Sequence, residues 1–121
     1  MILFIDTSDK EIIILQIVRG GEVLFEKKFK ARFRQAEKLL ESIDKLLIKA
    51  KVKLKDIERI QVESQGESFT SLRIGVITAN ALAFALGIPV VNSKGKSIKK
   101  KDFFVVKPEY SQEPNITISK K

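Results

Sequence analysis

A mixed α/β fold of order βββαβαβ is predicted from three observations. Runs of β-branched residues crowd the first thirty positions, the apolar period then lengthens to three and four, and a helix stop at Gly87 and Pro89 precedes one more short apolar run. The continuous run Ile2–Ile5 predicts a strand covered on both faces, and Asp6, Thr7, Ser8 and Asp9 form a polar turn after it. Ile12 to Leu15, with Ile17 beyond, is a second strand, and Gly20-Gly21 is a hairpin joint into a third over Val23 to Phe29. Phe33, Ala36, Leu39, Leu40, Ile43, Leu46, Leu47 and Ala50 then recur on one stripe of a helix. Ile57 to Val62 is a fourth strand. Thr70 is the expected N-cap of a second helix reaching Leu86, with Gly87 as its left-handed stop, and Pro89 to Val91 is a fifth strand. Beyond Ser93 the pattern fades: Phe103 to Val106 is an expected edge strand, and the remainder an extended tail. The division expected is a lobe over residues 1–93 and a basic loop and tail over 94–121.

The second helix is apolar around its whole circumference, which predicts burial on more than one side. Gly75, Ala79 and Ala83 fall on one line of it and admit the close approach of another helix. That neighbour is either the first helix of the same chain or a helix of another subunit. The apolar surface left over on a single layer favours the second, so an intersubunit contact is expected.

Composition narrows the chemistry. In 121 residues there is no Cys and no His, which excludes disulfides, thiol catalysis, His-ligated metals and any Ser-His-Asp triad. The run Ala79 to Val91 is interrupted and too short to span a bilayer, and Met1 to Asp6 lacks a basic leader, so no membrane association and a cytoplasmic protein are expected. The net charge of +8 is uneven. Residues 94–121 hold 8 basic and 3 acidic side chains, with Lys94, Lys96, Lys99, Lys100 and Lys101 close together. Such a cluster attracts polyanions by counterion release, although no aromatic platform for bases accompanies it, and a solvated loop explains it equally.

Two stretches carry further information. Asp6-Thr7-Ser8 closes the first strand and either offers donors to a phosphate or forms an Asx-turn. Gly66 to Gly75 is a strand–loop–helix transition with Ser68 and Thr70 at the helix start, where free N–H groups favour anions; lacking Gly-Lys-Ser/Thr, it is not a Walker loop.

Ile2-Leu-Phe-Ile-Asp-Thr-Ser8, Ser68-Phe-Thr-Ser-Leu-Arg-Ile-Gly75 and Leu86-Gly-Ile-Pro-Val-Val91 together resemble the TsaB (YeaZ-type) family. The resemblance covers residues 1–93. It implies one lobe of the actin-like ATPase (ribonuclease H-like, Gcp-like) fold, and a role in making threonylcarbamoyladenosine in tRNA. It further implies a non-catalytic subunit without a cofactor. That subunit would pair with a TsaD-like protein through its helices, homodimerise by a similar surface, meet a TsaE-like ATPase and touch tRNA indirectly. Carried onto this chain, the expected interface is Phe33, Ala36, Leu40 and Ile43 of the first helix with Leu72, Gly75, Val76, Ala79 and Ala83 of the second. Asp6, Thr7, Ser8, Ser68 and Thr70 are the expected degenerate phosphate loop, and Lys99, Lys100 and Lys101 an expected RNA contact.

Three features depart from the family pattern. Gln65-Gly66-Glu67 stands where a Gly-Pro-Gly turn is usual, and Gln35-Ala36-Glu37 where a His-Ser-Glu-like element is usual. By comparison with the family, a second lobe would be expected to begin after Ser93, and Pro108-Glu-Tyr110 with Pro114 instead resembles the family's C-terminal tail, so a single-lobe form is the expectation. A nucleotide in this fold lies between two lobes, so one lobe presents an open half-site, and Glu67 adds a carboxylate where an anion would sit. The competing expectations are a self-standing nucleotide-binding enzyme built on Asp6 and the Ser68–Thr70 loop, and a basic RNA-binding module.

Overall fold

The protein is described by a computed structural model covering residues 1–31, 35–66, 68–100 and 103–110. Phe33, Glu67, Lys101 and Pro114, all singled out above, lie outside the described residues, and Lys99 and Lys100 are described by their backbone alone. The first three strands form an antiparallel meander of β1 (Ile2–Asp6), β2 (Ile12–Arg19) and β3 (Glu22–Lys30). Gly20 and Gly21 join β2 to β3 at φ 59° and 81°, the two successive positive values a tight two-residue hairpin requires and that only glycine adopts without strain.

Helix α1 (Gln35–Ala50) and a short 3-10 turn (Leu54–Asp56) lead to β4 (Arg59–Val62), which pairs in parallel with β1. The two-residue strand β5 (Gln65–Gly66) precedes helix α2 (Phe69–Leu86), and β6 (Val90–Asn92) returns parallel to β4. The sheet order is β3-β2-β1-β4-β6. This is the predicted βββαβαβ arrangement. Gly87 ends α2 at φ 69°, and its N–H donates to the carbonyls of Ala83 and Phe84, as its place before Pro89 indicated.

Register fixes the layers. Leu3 faces Ile17 and Ile60, Ile5 faces Leu15 and Val62, and Ile60 faces Val90, so these side chains share one face of the sheet. All of them are fully buried, together with Leu39, Ile43, Leu46 and Leu47 of α1 and Val76, Ala79 and Ala83 of α2. Both helices therefore lie on that face. The opposite face carries Ile2, Phe4, Ile12, Ile14 and Val18, which are half-buried, and no described helix covers it. The expectation of cover on both faces is corrected here: the run Ile2–Ile5 is continuous in sequence, but only every second residue enters the core.

Three further expectations change. Ser68, not Thr70, is the N-cap of α2, and Thr70 is exposed on the first turn. Phe103 to Val105 (β8) does not join the main sheet; it pairs antiparallel with β7 (Ile98–Lys100) in a separate hairpin beside α2 and β6. The small-residue line of α2 points inward: a Cβ on Gly75 would collide with Oγ1 of Thr7, and Ala79 and Ala83 are buried in the core. Small side chains are needed there to seat an 18-residue helix on the sheet and against α1, so this line is not the surface that meets another subunit. Ile43, Leu72 and Val76 are withdrawn from the expected interface for the same reason, being buried in their own chain.

Ala79→Leu is therefore expected to overpack the core. Chemical denaturation should show a loss of about 1–3 kcal/mol, with the association state at fixed concentration unaltered.

Candidate functional site

Strands β1, β4 and β6 run parallel, and the segments following their carboxyl ends gather at one edge of the sheet. Open α/β sheets bind ligands in this region. Two clusters occupy it.

The first joins the Asp6–Ser8 turn to the start of α2. One carboxylate oxygen of Asp6, Oδ1, accepts the Ser8 N–H at 2.9 Å and the Ser8 hydroxyl at 2.6 Å. This is the Asx-turn alternative. Thr7 is fully buried, and its hydroxyl donates to the Ser71 carbonyl at 2.6 Å. The Ser71 hydroxyl donates to that of Ser68, and a Cβ on Gly66 would stand 2.8 Å from that of Ser8. The structure thus brings Asp6, Thr7, Ser8 and Ser68 together with Ser71, which the sequence reading did not single out, and leaves Thr70 outward. Hydrogen bonds from Ser8 to Asp6, from Thr7 to Ser71 and from Ser71 to Ser68 tie these residues together, so the cluster works as a polar joint between sheet and helix. Asp9, next in the turn, accepts the N–H groups of Glu11 at 2.7 Å and Ile12 at 3.0 Å. Those two donors hold its carboxyl below the ordinary carboxylate range.

The second cluster lies beyond β6. Asn92 Oδ1 accepts the N–H groups of Lys94 at 2.9 Å and Lys96 at 3.0 Å, and the Asn92 N–H donates to the Lys96 carbonyl at 2.8 Å. Gly95, at φ 77°, completes this closed turn, from which Lys94 and Lys96 extend into solvent. Facing it, residues 105–109 are clamped from two sides. The Asn80 side chain brackets Val106, donating to its carbonyl at 2.8 Å and accepting its N–H at 2.9 Å. Strand β9 (Glu109–Tyr110) pairs in parallel with β5, and Gln65 Nε2 donates to Glu109 Oε1 at 3.0 Å. Between the two walls is a cavity of about 210 Å³ lined by Asn92, Lys96, Ser97, Ile98, Val105, Val106, Lys107 and Glu109.

Sequence reasoning found the lysines and missed the cavity. The signal that could have found it is Asn80, a lone amide in an otherwise apolar helix stretch, which must be satisfied by a specific partner when buried. No group of three or more acidic side chains among the described residues could hold a metal ion, and no described helix is long and apolar enough to cross a membrane.

The outward side of the helices differs from the expected interface. Leu40 and Ile48 of α1 and Ile77 and Phe84 of α2 are 56%, 68%, 59% and 64% exposed. Among the described residues of the expected interface, Leu40 and Ala36 belong to this exposed side.

Residues 30–94 match the family model TsaD, described as tRNA N6-adenosine threonylcarbamoyltransferase. Among solved structures, YeaZ from Pseudomonas aeruginosa is similar at 28% identity and a TM-score of 0.68, over 75% of this chain and 42% of that one. A second structure, an uncharacterized protein from Pseudomonas aeruginosa with similarity to peptidase YeaZ, gives 28% identity and a TM-score of 0.69, over 75% and 41%. The chain thus spans about two-fifths of the length of these proteins. No curated protein matches it in sequence.

Two outcomes follow from the polar joint. Gly75→Ala should cost about 1–3 kcal/mol through the collision with Thr7, and Thr7→Ala about 0.5–1.5 kcal/mol by removing the buried hydrogen bond from its hydroxyl to the Ser71 carbonyl. The double variant should cost less than both together, because removing the Thr7 side chain makes room for the new Cβ; strict additivity in denaturant unfolding would refute the contact. For Asp9, whose carboxyl is lowered in the fold, the stabilisation is complete above the ordinary carboxylate value and fades as pH falls through the lowered one. Protection factors of the Glu11 and Ile12 amides should drop over that window in the native chain and stay low throughout in Asp9→Ala.

Proposed function

Since the chain belongs to the family of the TsaD model, with residues 30–94 matched, we propose that it serves synthesis of N6-threonylcarbamoyladenosine in tRNA as a non-catalytic, TsaB-like partner of a TsaD-like subunit. The observation that carries this reading is the contrast between the two sides of the lobe. At the carboxyl edge of the sheet, Asp6, Thr7, Ser8, Ser68 and Ser71 are engaged in hydrogen bonds that join the first strand to α2, a structural use of these side chains that supports the non-catalytic reading. On the outer side of the helices, Leu40, Ile48, Ile77 and Phe84 keep large apolar side chains in water. Exposed apolar side chains grouped on two neighbouring helices are what an interface core requires. The likeness to YeaZ over three-quarters of the chain supports the same assignment.

In this reading the outward helix surface takes the TsaD-like subunit, or a second copy of this chain when that subunit is absent. A TsaE-like ATPase joins the assembled pair. Catalysis belongs to the TsaD-like partner.

The chain should co-purify with the TsaD-like protein of its own organism at a fixed stoichiometry by light scattering. Ile77→Asp with Ile48→Asp should abolish that complex while changing the stability of the isolated chain by less than ~0.5 kcal/mol per site, as expected for exposed positions. A complex indifferent to both substitutions would overturn the proposed surface. ATP turnover by the isolated chain that disappears with Asp6→Ala would overturn the non-catalytic assignment.

A further inference from the structure

The cavity beyond β6 is not used by the partner reading, and three of its properties define a ligand. The first is size. At about 210 Å³ it falls below the ~300–1,000 Å³ typical of pockets that enclose a whole drug-sized molecule. It accepts a single ring rather than a nucleoside triphosphate. The second is its lining. Ile98, Val105 and Val106 supply apolar lining for a ring, and Ser97 and Glu109, a hydroxyl and a carboxylate residue, line the same cavity. The third is charge. Lys96 and Lys107 line the cavity and Lys94 stands beside it on the same turn, all three exposed. The turn holding Lys94 and Lys96 is closed by Asn92, and the opposite wall is clamped by Asn80 and β5. Both walls are therefore positioned before any ligand arrives.

We propose that this cavity seats one base of a single-stranded RNA, with Lys94, Lys96 and Lys107 receiving the phosphates on either side of it. Three exposed cations on and beside the cavity suit a polymer with a charge at every unit better than a free mononucleotide. The Glu109 carboxylate accepts from Gln65 through Oε1, and a carboxylate has lone pairs left for a second donor. A base bearing an exocyclic amine supplies such a donor, as cytosine does through N4, whereas uracil presents a carbonyl there. The site therefore favours cytosine over uracil. The choice of RNA among polyanions rests on the tRNA-modification reading above; the cavity and its cations do not.

The test uses the isolated full chain and fluorescence anisotropy with labelled 12-mers of oligo(C) and oligo(U), a duplex RNA, cytidine monophosphate and polyglutamate. Oligo(C) should bind tightest. Its log affinity should fall with log salt at a slope of about −2, as expected when three lysines each neutralise one phosphate of a single strand. Lys96→Glu with Lys107→Glu should weaken oligo(C) at least about tenfold, with the slope flattened. Glu109→Gln should strengthen binding of both oligomers by removing a negative charge, yet shrink the preference for oligo(C), an opposition that general charge attraction does not produce. Val105→Phe, which fills the cavity without altering charge, should weaken oligo(C) and spare the duplex. Thermal melts of each variant identify any that has merely unfolded, and Lys45→Glu on α1 serves as a distant charge control. Equal affinity for oligo(C), duplex and polyglutamate, or indifference to Val105→Phe in a folded protein, would overturn the proposal. So would cytidine monophosphate binding as tightly as the oligomer. Failure to co-purify with the TsaD-like protein would count against the partner reading alone, since these measurements need no partner.

Discussion

Helix α2 rests on the sheet with Gly75 against the side chain of Thr7, and the Thr7 hydroxyl donates to the Ser71 carbonyl one turn earlier. That double contact sets how closely the helix approaches β1, and much else depends on it. It fixes the rotation of α2, so that Val76, Ala79 and Ala83 enter the core while Ile77 and Phe84 face outward. It draws Ser68 and Ser71 into the joint with Asp6 and Ser8, and it aims Asn80 at Val106. A methyl group at position 75 would disturb the core, the joint and the cavity wall together, because all three hang on one rigid helix.

The same geometry separates the two surfaces to which function is assigned. The outward side of the helices sets Ile77 of α2 and Leu40 and Ile48 of α1 among charged side chains of α1, a mixed surface on regular helices that suits a protein partner. The carboxyl edge of the sheet is polar and cationic and built from loops and two-residue strands, which suits a charged, flexible ligand. Each surface can therefore be occupied without using the residues of the other. Under the two proposals above, one surface would hold the partner enzyme and the other its nucleic-acid substrate.

The sequence made the lobe legible because its signals are local. The switch from β-branched runs to a three-and-four period, the Gly20-Gly21 hairpin and the Gly87 stop each depend on neighbours in the chain, and all stand where they were placed. What could not be read locally was orientation. An apolar line of Gly75, Ala79 and Ala83 has the same spacing whether it meets a sheet, its own first helix or another subunit, and only the Thr7 contact decides. Ser68 and Thr70 are two hydroxyl residues two positions apart, both able to start a helix, and the nearer strand β5 selects the first. The cavity was the least legible feature of all. Its walls are far apart in sequence, held by a pair of backbone hydrogen bonds to an amide 26 residues away and by β5–β9 pairing across 44 residues.

That way of attaching the second wall has a consequence for motion. The core strands are secured by continuous ladders and by fully buried side chains, whereas the restraints described for residues 105–110 are the Asn80 bracket, the buried Val106, the pairing of Val105 with Ile98, the Gln65–Glu109 hydrogen bond and a two-residue ladder. Free energies of local opening follow the number of such restraints. Among the described residues, the wall of the cavity is thus held by fewer restraints than the sheet, so it is positioned in the closed molecule yet opens at lower cost than the core. Exchange of whatever the cavity holds then follows the rate of that sub-global opening, and a ligand bridging Lys96 and Lys107 acts as a latch that slows its own escape.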